Sequence, residues 1–257
     1  MRIRRVVKTV LSVEQVEGVG AHVRRSIGRK ELMNLDPFLM LDEFKVKKPS
    51  GFPDHPHRGF ETVTYVLKGV SAHEDFCGHS GLLKPGDLQV GKHLVTLTVQ
   101  SVGSYSSPDS HQNQTINVLS FFFVQSKIFT RTPTLYLDLK LDGGAKHVQP
   151  VPSGWTSFIY TLAGSVCVGP DAEQRKVEPH HTIVFDDGDC IAVENKTSEV
   201  CHFVLIAGQP INEPVVQHGP FVMNTEEEIN QAVRDYRTGT NGFERATAWR
   251  SKIRESF

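Results

Sequence analysis

Short apolar or alternating runs, each closed by Gly, Pro or Asp, recur along the chain. Residues 62–67, 158–162, 182–185, 190–193 and 202–206 are the clearest of them. Runs of this length with turn residues between them predict the strands of an all-β sandwich or barrel. One stretch has helical spacing instead. Thr225 through Glu228 (Thr-Glu-Glu-Glu) has the form of a capping box, with Thr225 as N-cap. Ile229, Ala232, Val233 and Tyr236 follow at i, i+3, i+4 and i+7, and Gly239 is the predicted stop.

The pattern also repeats. Tyr65 through Gly69 (Tyr-Val-Leu-Lys-Gly) reads like Tyr160 through Gly164 (Tyr-Thr-Leu-Ala-Gly), and Gly86-Asp87 echoes Gly188-Asp189 before a β-like run. Anchoring on the tyrosines aligns Gly59-Phe60 with Gly154-Trp155, His55 with Pro150 and His57 with Pro152. Tyr-x-Leu-x-Gly is also a common strand-to-turn pattern. Agreement of several features in one register favours duplicated barrels, of which only the first keeps metal-binding side chains here.

Composition narrows the function classes. A chain of 257 residues holds one large β domain or two ordinary ones. With 28 Lys and Arg against 29 Asp and Glu, no global charge argues for direct nucleic-acid binding or a membrane surface. The local clusters Arg2, Arg4, Arg5 and Lys45, Lys47, Lys48 read as solvated surface. No apolar run approaches the roughly 20 residues of a membrane span. The opening Met-Arg-Ile-Arg-Arg-Val-Val-Lys lacks the apolar core of a signal peptide. Cys77, Cys167, Cys190 and Cys201 form no Cys-x-x-Cys pair, which suits reduced thiols in the cytosol or nucleus.

The candidate chemistry lies at His55-Pro56-His57. Histidines two apart on a strand share a face, so both imidazoles can reach one cation. Neutral imidazole suits Fe, Zn, Cu and Ni, and an added carboxylate shifts preference toward iron or manganese. Glu61, four residues beyond His57, lies on the same face of an ideal strand. It is a candidate ligand, or a group that orients a histidine or receives a substrate proton. On the residues alone the pair is either a metal half-site or two surface or hydrogen-bonded histidines. The adjacent His180 and His181 face opposite ways on a strand, and His73 and His79 around Cys77 are a weak zinc pattern. His147, His202 and His218 read as structural or exposed. With no Ser-His-Asp signature, P-loop or Gly-x-Gly-x-x-Gly in place, hydrolase and nucleotide-binding readings have no support.

Longer motifs carry a family resemblance. Arg24 through Gly28, Leu35 through Phe38, Asp42-Glu-Phe44, and Gly51 through Thr62 (Gly-Phe-Pro-Asp-His-Pro-His-Arg-Gly-Phe-Glu-Thr) look like pirin. So do Ala72 through His79, Pro85 through Gln89, Glu213-Pro214 and Gly219 through Thr225. The resemblance implies an all-β bicupin: two jelly-roll β-barrels, the N-terminal one incomplete, with a C-terminal helix. Residues 1–89 are then the N-terminal cupin, 90–125 a non-matching segment, and 126–257 the C-terminal cupin with the terminal helix.

The resemblance also implies one Fe2+ in the N-terminal barrel, held by three histidines and a glutamate. His55 and His57 match the first two ligands, while Glu61 stays a neighbouring candidate. The family's other two ligands come from a His-x-Glu about a dozen residues after Pro-Gly-Asp-Leu-Gln. Here Gln89 is followed by Val-Gly-Lys-His-Leu-Val-Thr-Leu-Thr-Val, without that motif, and the surroundings of His93 do not match. Two functions follow from the resemblance. One is opening of a flavonol such as quercetin by a metal-dependent 2,3-dioxygenase, with little activity expected here. The other is a nuclear, iron-responsive co-regulator that binds Rel/NF-κB-type factors. The expected protein is a monomer of nucleus and cytoplasm with no membrane partner.

The non-matching segment has its own signature. Gln89-Val90 is what translation across a splice donor produces, and Phe121-Phe-Phe-Val-Gln125 is what a pyrimidine tract and acceptor produce. Pirin-like sequence resumes at Ser126. The reading that fits these boundaries is translated intron; an in-frame transcript spanning residues 89–126 with abundant protein overturns it. Residues 94–102 alternate well enough to serve as a strand, and 101–114 read as loop. The first barrel is therefore expected to be poorly stable and the second intact.

Overall fold

Residues 1–17, 21–46, 54–93, 96–99, 116–124, 132–246 and 248–252 are described by a computed structural model, with backbone alone for 92–93, 96–99 and 116–124. The chain opens with β1 (Val6–Leu11), β2 (Val13–Glu17), β3 (Ala21–Ile27) and β4 (Phe38–Val46). Next come β5 (His55–His57), β6 (Phe60–Lys68), β7 (Ser71–Asp75), β8 (Ser80–Leu83) and β9 (Leu88–His93). β10 (Thr96–Val99) and β11 (Ile116–Val124) follow, then β12 (Thr134–Leu141), β13 (Lys146–Pro150), β14 (Thr156–Ala163) and β15 (Val166–Val168). After them run β16 (Arg175–Val177), β17 (His181–Phe185), β18 (Cys190–Glu194) and β19 (Cys201–Gly208). β20 (Val216–His218), β21 (Phe221–Met223) and α1 (Glu226–Thr238) complete the order. The five clearest strand runs read from the sequence each lie within one of these elements; of the run 94–102, residues 96–99 form β10 and the rest lie outside the described residues.

Strand order shows the duplication directly. The first barrel has sheets β2-β3-β4-β11-β6-β9 and β5-β10-β7-β8; the second has β1-β17-β14-β19-β12 and β13-β18-β15-β16. Set aside β1 to β3, and β4-β11-β6-β9 matches β12-β19-β14-β17, while β5-β10-β7-β8 matches β13-β18-β15-β16. β10 and β11, both from the non-matching segment, thus take the positions of β18 and β19. Residues 101–114, expected as loop, lie outside the described residues.

What is missing from the first barrel is cover rather than strand order. With Tyr65 matched to Tyr160, the ladders match Leu88 with Thr182 and Val90 with Val184. Thr182 and Val184 are 0% and 6% exposed, whereas Leu88 and Val90 are 42% and 46% exposed. The reason is that β1 lies alongside β17, and no described strand lies outside β9. Apolar side chains left at an open edge lose the stabilisation that burial brings to their counterparts.

The same ladders correct one part of the repeat. Gly86 matches His180, not Gly188. Both take a left-handed backbone, with φ of 88° and 64°, and they donate their N–H to β6 and β14 respectively. Gly86 bonds Val66 O at 2.8 Å and His180 bonds Thr161 O at 2.7 Å. Residue type misled the alignment because the turn needs a conformation, which Gly adopts freely and His adopts under strain. Gly86→Ala, with open space around its Cβ, is expected to lose about 1–2 kcal/mol to that strain. His180→Gly is expected to stay within about 1 kcal/mol of the parent, since relieved strain offsets added chain entropy. Urea denaturation of the two variants checks both.

The chain divides into two compact units that are discontinuous in sequence. One comprises Met1–Val13, Ser26–Leu39 and Ser126–Asn212, and the other Glu14–Arg25, Met40–Gln125 and Glu213–Phe257. The N-terminal strand therefore belongs with the second barrel and the terminal helix with the first, unlike the contiguous division at 89 and 126. Two packing facts explain this. Val6 joins the second-barrel core of Ile159, Ile183, Phe203 and Leu205, and the buried Arg4 guanidinium donates to Trp155 O at 2.7 Å and Pro152 O at 2.8 Å. At the other end, Ile229 and Ala232 of α1 pack with Phe76, Phe221, Phe243 and Ala246.

α1 forms as its sequence predicts. Thr225 Oγ1 accepts from Glu228 N at 3.2 Å, Glu228 Oε2 accepts from Thr225 N at 3.1 Å, and Gly239 closes the C-terminus. No described helix is long and apolar enough to cross a membrane. All four cysteines are free thiols.

Candidate metal site

β5 brings the two histidines together. Alternation puts both on one face, with ring centroids 4.5 Å apart and planes at 71°. His57 is buried and packs on Phe60 at 4.9 Å, while His55 is half-buried. Imidazoles this close can both reach one cation through nitrogen–metal bonds of about 2.0–2.1 Å.

A sharp corner ends the strand. Gly59 turns with φ 89°, and a Cβ there would lie 1.7 Å from Val222 O. The backbone of Arg58 pairs with β21 and the residue before it, accepting from Val222 N at 3.0 Å and donating to Pro220 O at 3.3 Å. Its guanidinium donates to Asp235 Oδ2 at 2.7 Å and Asn241 O at 2.6 Å, and sits 4.5 Å over the Phe243 ring. The residue after His57 is thereby bolted to α1 and the turn beyond it. Nothing local in the sequence announces this pair, since Arg58 and Asp235 are 177 positions apart.

The corner also separates Glu61 from the histidines. Glu61 is buried on β6, which belongs to the other sheet. Val66 packs in the core cluster with Phe44 and Val46, so Thr62 and Thr64 share its face by alternation. Glu61, Val63 and Tyr65 take the opposite face. The expectation that Glu61 shares a face with His57 assumed one straight strand; Gly59 breaks it.

The partner strand shows what stands opposite the pair. In the antiparallel ladder Thr96 is opposite His57 and Thr98 opposite His55, with Asp75 next along the row from Thr98. In the second barrel Cys190 is opposite Pro150 and Ala192 opposite Val148. Carried through β7 and β15, the ladders match His57 with the buried Val151 and His55 with Gln149, one residue from the sequence alignment. Among the described residues no group of three or more His, Cys, Asp or Glu side chains converges. The described donor set stops at His55 and His57, and it does not amount to three histidines and a glutamate. The side chain of His93 lies outside the described residues.

The remaining candidates are placed elsewhere. His79 Nδ1 meets Asp75 Oδ2 at 2.8 Å on the surface, and His73 stands opposite Gly81 on β8. Burial lowers the His73 pKa and raises that of the exposed Cys77. His181 Nδ1 lies 3.0 Å from both Glu178 O and Pro179 O, and His202 pairs with Asp138. The basic residues Arg24 and Arg25 are neutralised locally. Arg24 meets Glu14 at 2.8 Å, and Arg25 forms a two-pronged pair with Asp42 at 2.8 and 2.7 Å and also bonds Glu17.

Two barrels of matching strand order, with a His-x-His strand in the first, define a bicupin. Residues 20–92 match the family model described as Pirin, and residues 136–242 match the Pirin C-terminal cupin domain. Human pirin is 55% identical, with 97% of this chain and 98% of that protein aligned. A pirin-like protein of Solanum lycopersicum is 48% identical over 98% of this chain and 97% of its own length. The chain belongs to the pirin family. The alignment with human pirin runs over 284 residues against a chain of 257, so that relative carries sequence this chain lacks. Neither family model spans residues 93–135. Among solved structures, a quercetin 2,3-dioxygenase from Acinetobacter baumannii superposes with a TM-score of 0.79 at 25% identity, covering 92% of this chain and 98% of that one. The bacterial pirin YhhW from Escherichia coli, in complex with nickel(II), shares the fold with a TM-score of 0.62 at 13% identity, covering 79% of this chain and 98% of that one.

Proposed function

We propose that this chain is a pirin-type cupin on the flavonol 2,3-dioxygenase plan whose own turnover of quercetin is lost. The likeness to a quercetin 2,3-dioxygenase supports the plan. One observation carries the loss: threonines stand opposite both histidines, and no third donor joins them among the described residues. Oxidative opening of a flavonol needs a metal that holds oxygen and substrate together. Two imidazoles on one strand supply half the donors of the family's iron site. Glu61, on the far face of β6, is not placed to receive a substrate proton beside them.

The test is aerobic decay of quercetin absorbance with purified chain after iron loading, beside the quercetin 2,3-dioxygenase from Acinetobacter baumannii. The expected rate is the uncatalysed background. Stoichiometric iron with turnover at the relative's rate overturns the reading.

A second reading is a nuclear co-regulator that binds a Rel/NF-κB-type factor without catalysis. A role of that kind needs an exposed surface rather than a reaction centre, and the second barrel has a continuous core. Arg24 and Arg25 are both paired with acidic residues. The double variant H55A/H57A is expected to retain partner binding in a pull-down; loss of binding removes this reading.

A further inference from the structure

We propose that Asn241-Gly242, with Glu244 as its base, is a deamidation site that acts as a one-way timer on the Arg58–Asp235 pair. The chain has no other Asn-Gly, and both residues are exposed in the turn after α1. Gly242 carries no Cβ, so nothing screens its backbone nitrogen from the side-chain amide before it. That nitrogen donates to Glu244 Oε1 at 3.1 Å. A carboxylate so placed can take the proton as the nitrogen attacks. The same hydrogen bond holds the Glu244 carboxyl below its ordinary pKa, which keeps the base ionised at neutral pH.

The reaction balances with water alone. Gly242 N bonds to Asn241 Cγ and passes its proton to Glu244. The Cγ–Nδ2 bond then breaks, and the departing nitrogen takes up that proton and leaves as ammonia. The succinimide ring that remains adds water at either carbonyl. One opening gives aspartate; the other gives isoaspartate, in which the main chain runs through the former side-chain carbonyl.

Both products act on the anchor of β5. Asn241 Nδ2 donates to Asp235 Oδ1 at 2.9 Å, and Asn241 O accepts from the Arg58 guanidinium at 2.6 Å. A carboxylate at position 241 cannot donate, and it sets a second negative charge beside the buried Asp235. Isoaspartate also displaces the carbonyl that Arg58 uses. While the contact is closed, the bond to Asp235 restrains the amide, so the reaction proceeds through brief openings. Each conversion then hinders reclosing.

The experiment ages the purified full-length chain in mildly alkaline buffer and maps every asparagine by mass spectrometry, with isoaspartyl methyltransferase marking isoaspartate. Asn212 is the internal control. It is exposed and left-handed like Asn241, with φ of 58° against 52°, but Glu213 follows it. Asn241 is expected to convert at least about tenfold faster than Asn212, because Gly242 alone leaves the attacking nitrogen unscreened. E244Q should slow conversion at Asn241 severalfold and leave Asn212 unchanged, and E244D should restore it. Limited proteolysis should cut residues 213–252 faster in the converted fraction. The rate and proteolysis measurements use the parent chain, so they stand even where a variant fails to fold. Asn241 surviving as long as Asn212, folded E244Q converting at the parent's rate, or a converted fraction as protected as the unconverted one would each overturn the proposal.

Discussion

Gly59→Ala is expected to destabilise the first barrel by more than about 4 kcal/mol, the range reserved for a few severe mechanisms. Two effects add. The backbone turns with φ 89°, where a Cβ introduces strain of about 1–2 kcal/mol. The larger effect is collision, because that Cβ would lie 1.7 Å from Val222 O and 2.9 Å from Val222 C. These atoms are backbone, so no rotamer change relieves the overlap. Either the corner moves or β21 detaches from Arg58, breaking the hydrogen bonds Val222 N to Arg58 O and Arg58 N to Pro220 O. Either outcome disturbs the strand that carries His55 and His57. Chemical denaturation followed by limited proteolysis of residues 213–252 measures it. A variant as stable as the parent, with that segment protected, refutes the close approach.

Asp235→Ala is expected to lose about 3–5 kcal/mol, the usual penalty for stranding one member of a buried ion pair. Arg58 and Asp235 side chains are 10% and 4% exposed, and Asp235 Oδ1 also accepts from Gln231 at 2.7 Å and Asn241 at 2.9 Å. Removing the carboxylate leaves a guanidinium in the wall and frees α1. The same pair sets an acid limit. Burial pushes the Asp235 carboxyl up, but hydrogen bonds from Arg58, Asn241 and Gln231 outweigh it and hold the pKa below its ordinary value. A lowered carboxyl pKa stabilises the fold fully above the unfolded value of about 3.9, and that contribution fades as pH falls through the folded value. The C-terminal segment should therefore release below about pH 4. Trp249 packs against the cluster that α1 buries, so its fluorescence, read in a Trp155→Phe background, follows the release. Asp235→Asn should flatten that acid limb; an unchanged limb assigns it to other carboxylates.

Much of the molecule was legible because its signals are local. Period-two runs announced the strands, and the Thr225–Glu228 box with the Ile229, Ala232 and Tyr236 stripe announced α1. The histidine pair at i and i+2 announced a shared face. The errors came where a local rule met a non-local constraint. Glu61 was placed by assuming a straight strand through Gly59. Gly86 was matched to Gly188 by residue type, whereas the backbone matched it to His180, a histidine in a glycine's conformation.

By itself, then, the sequence determined two duplicated β-barrels, a capped helix and a strand bearing two imidazoles. Period, caps and turn residues act over a few positions and need no partner to be read. Tertiary structure alone decided the rest. It set Thr96 and Thr98 opposite the histidines, put Glu61 on the far face, and exchanged the chain ends, β1 to the second barrel and α1 to the first. Register, corner geometry and burial of ends depend on atoms up to 197 positions apart, as between Ser251 N and Asp54 Oδ2. Such contacts are chosen by packing and hydrogen-bond satisfaction across the fold, which no short window of residues contains.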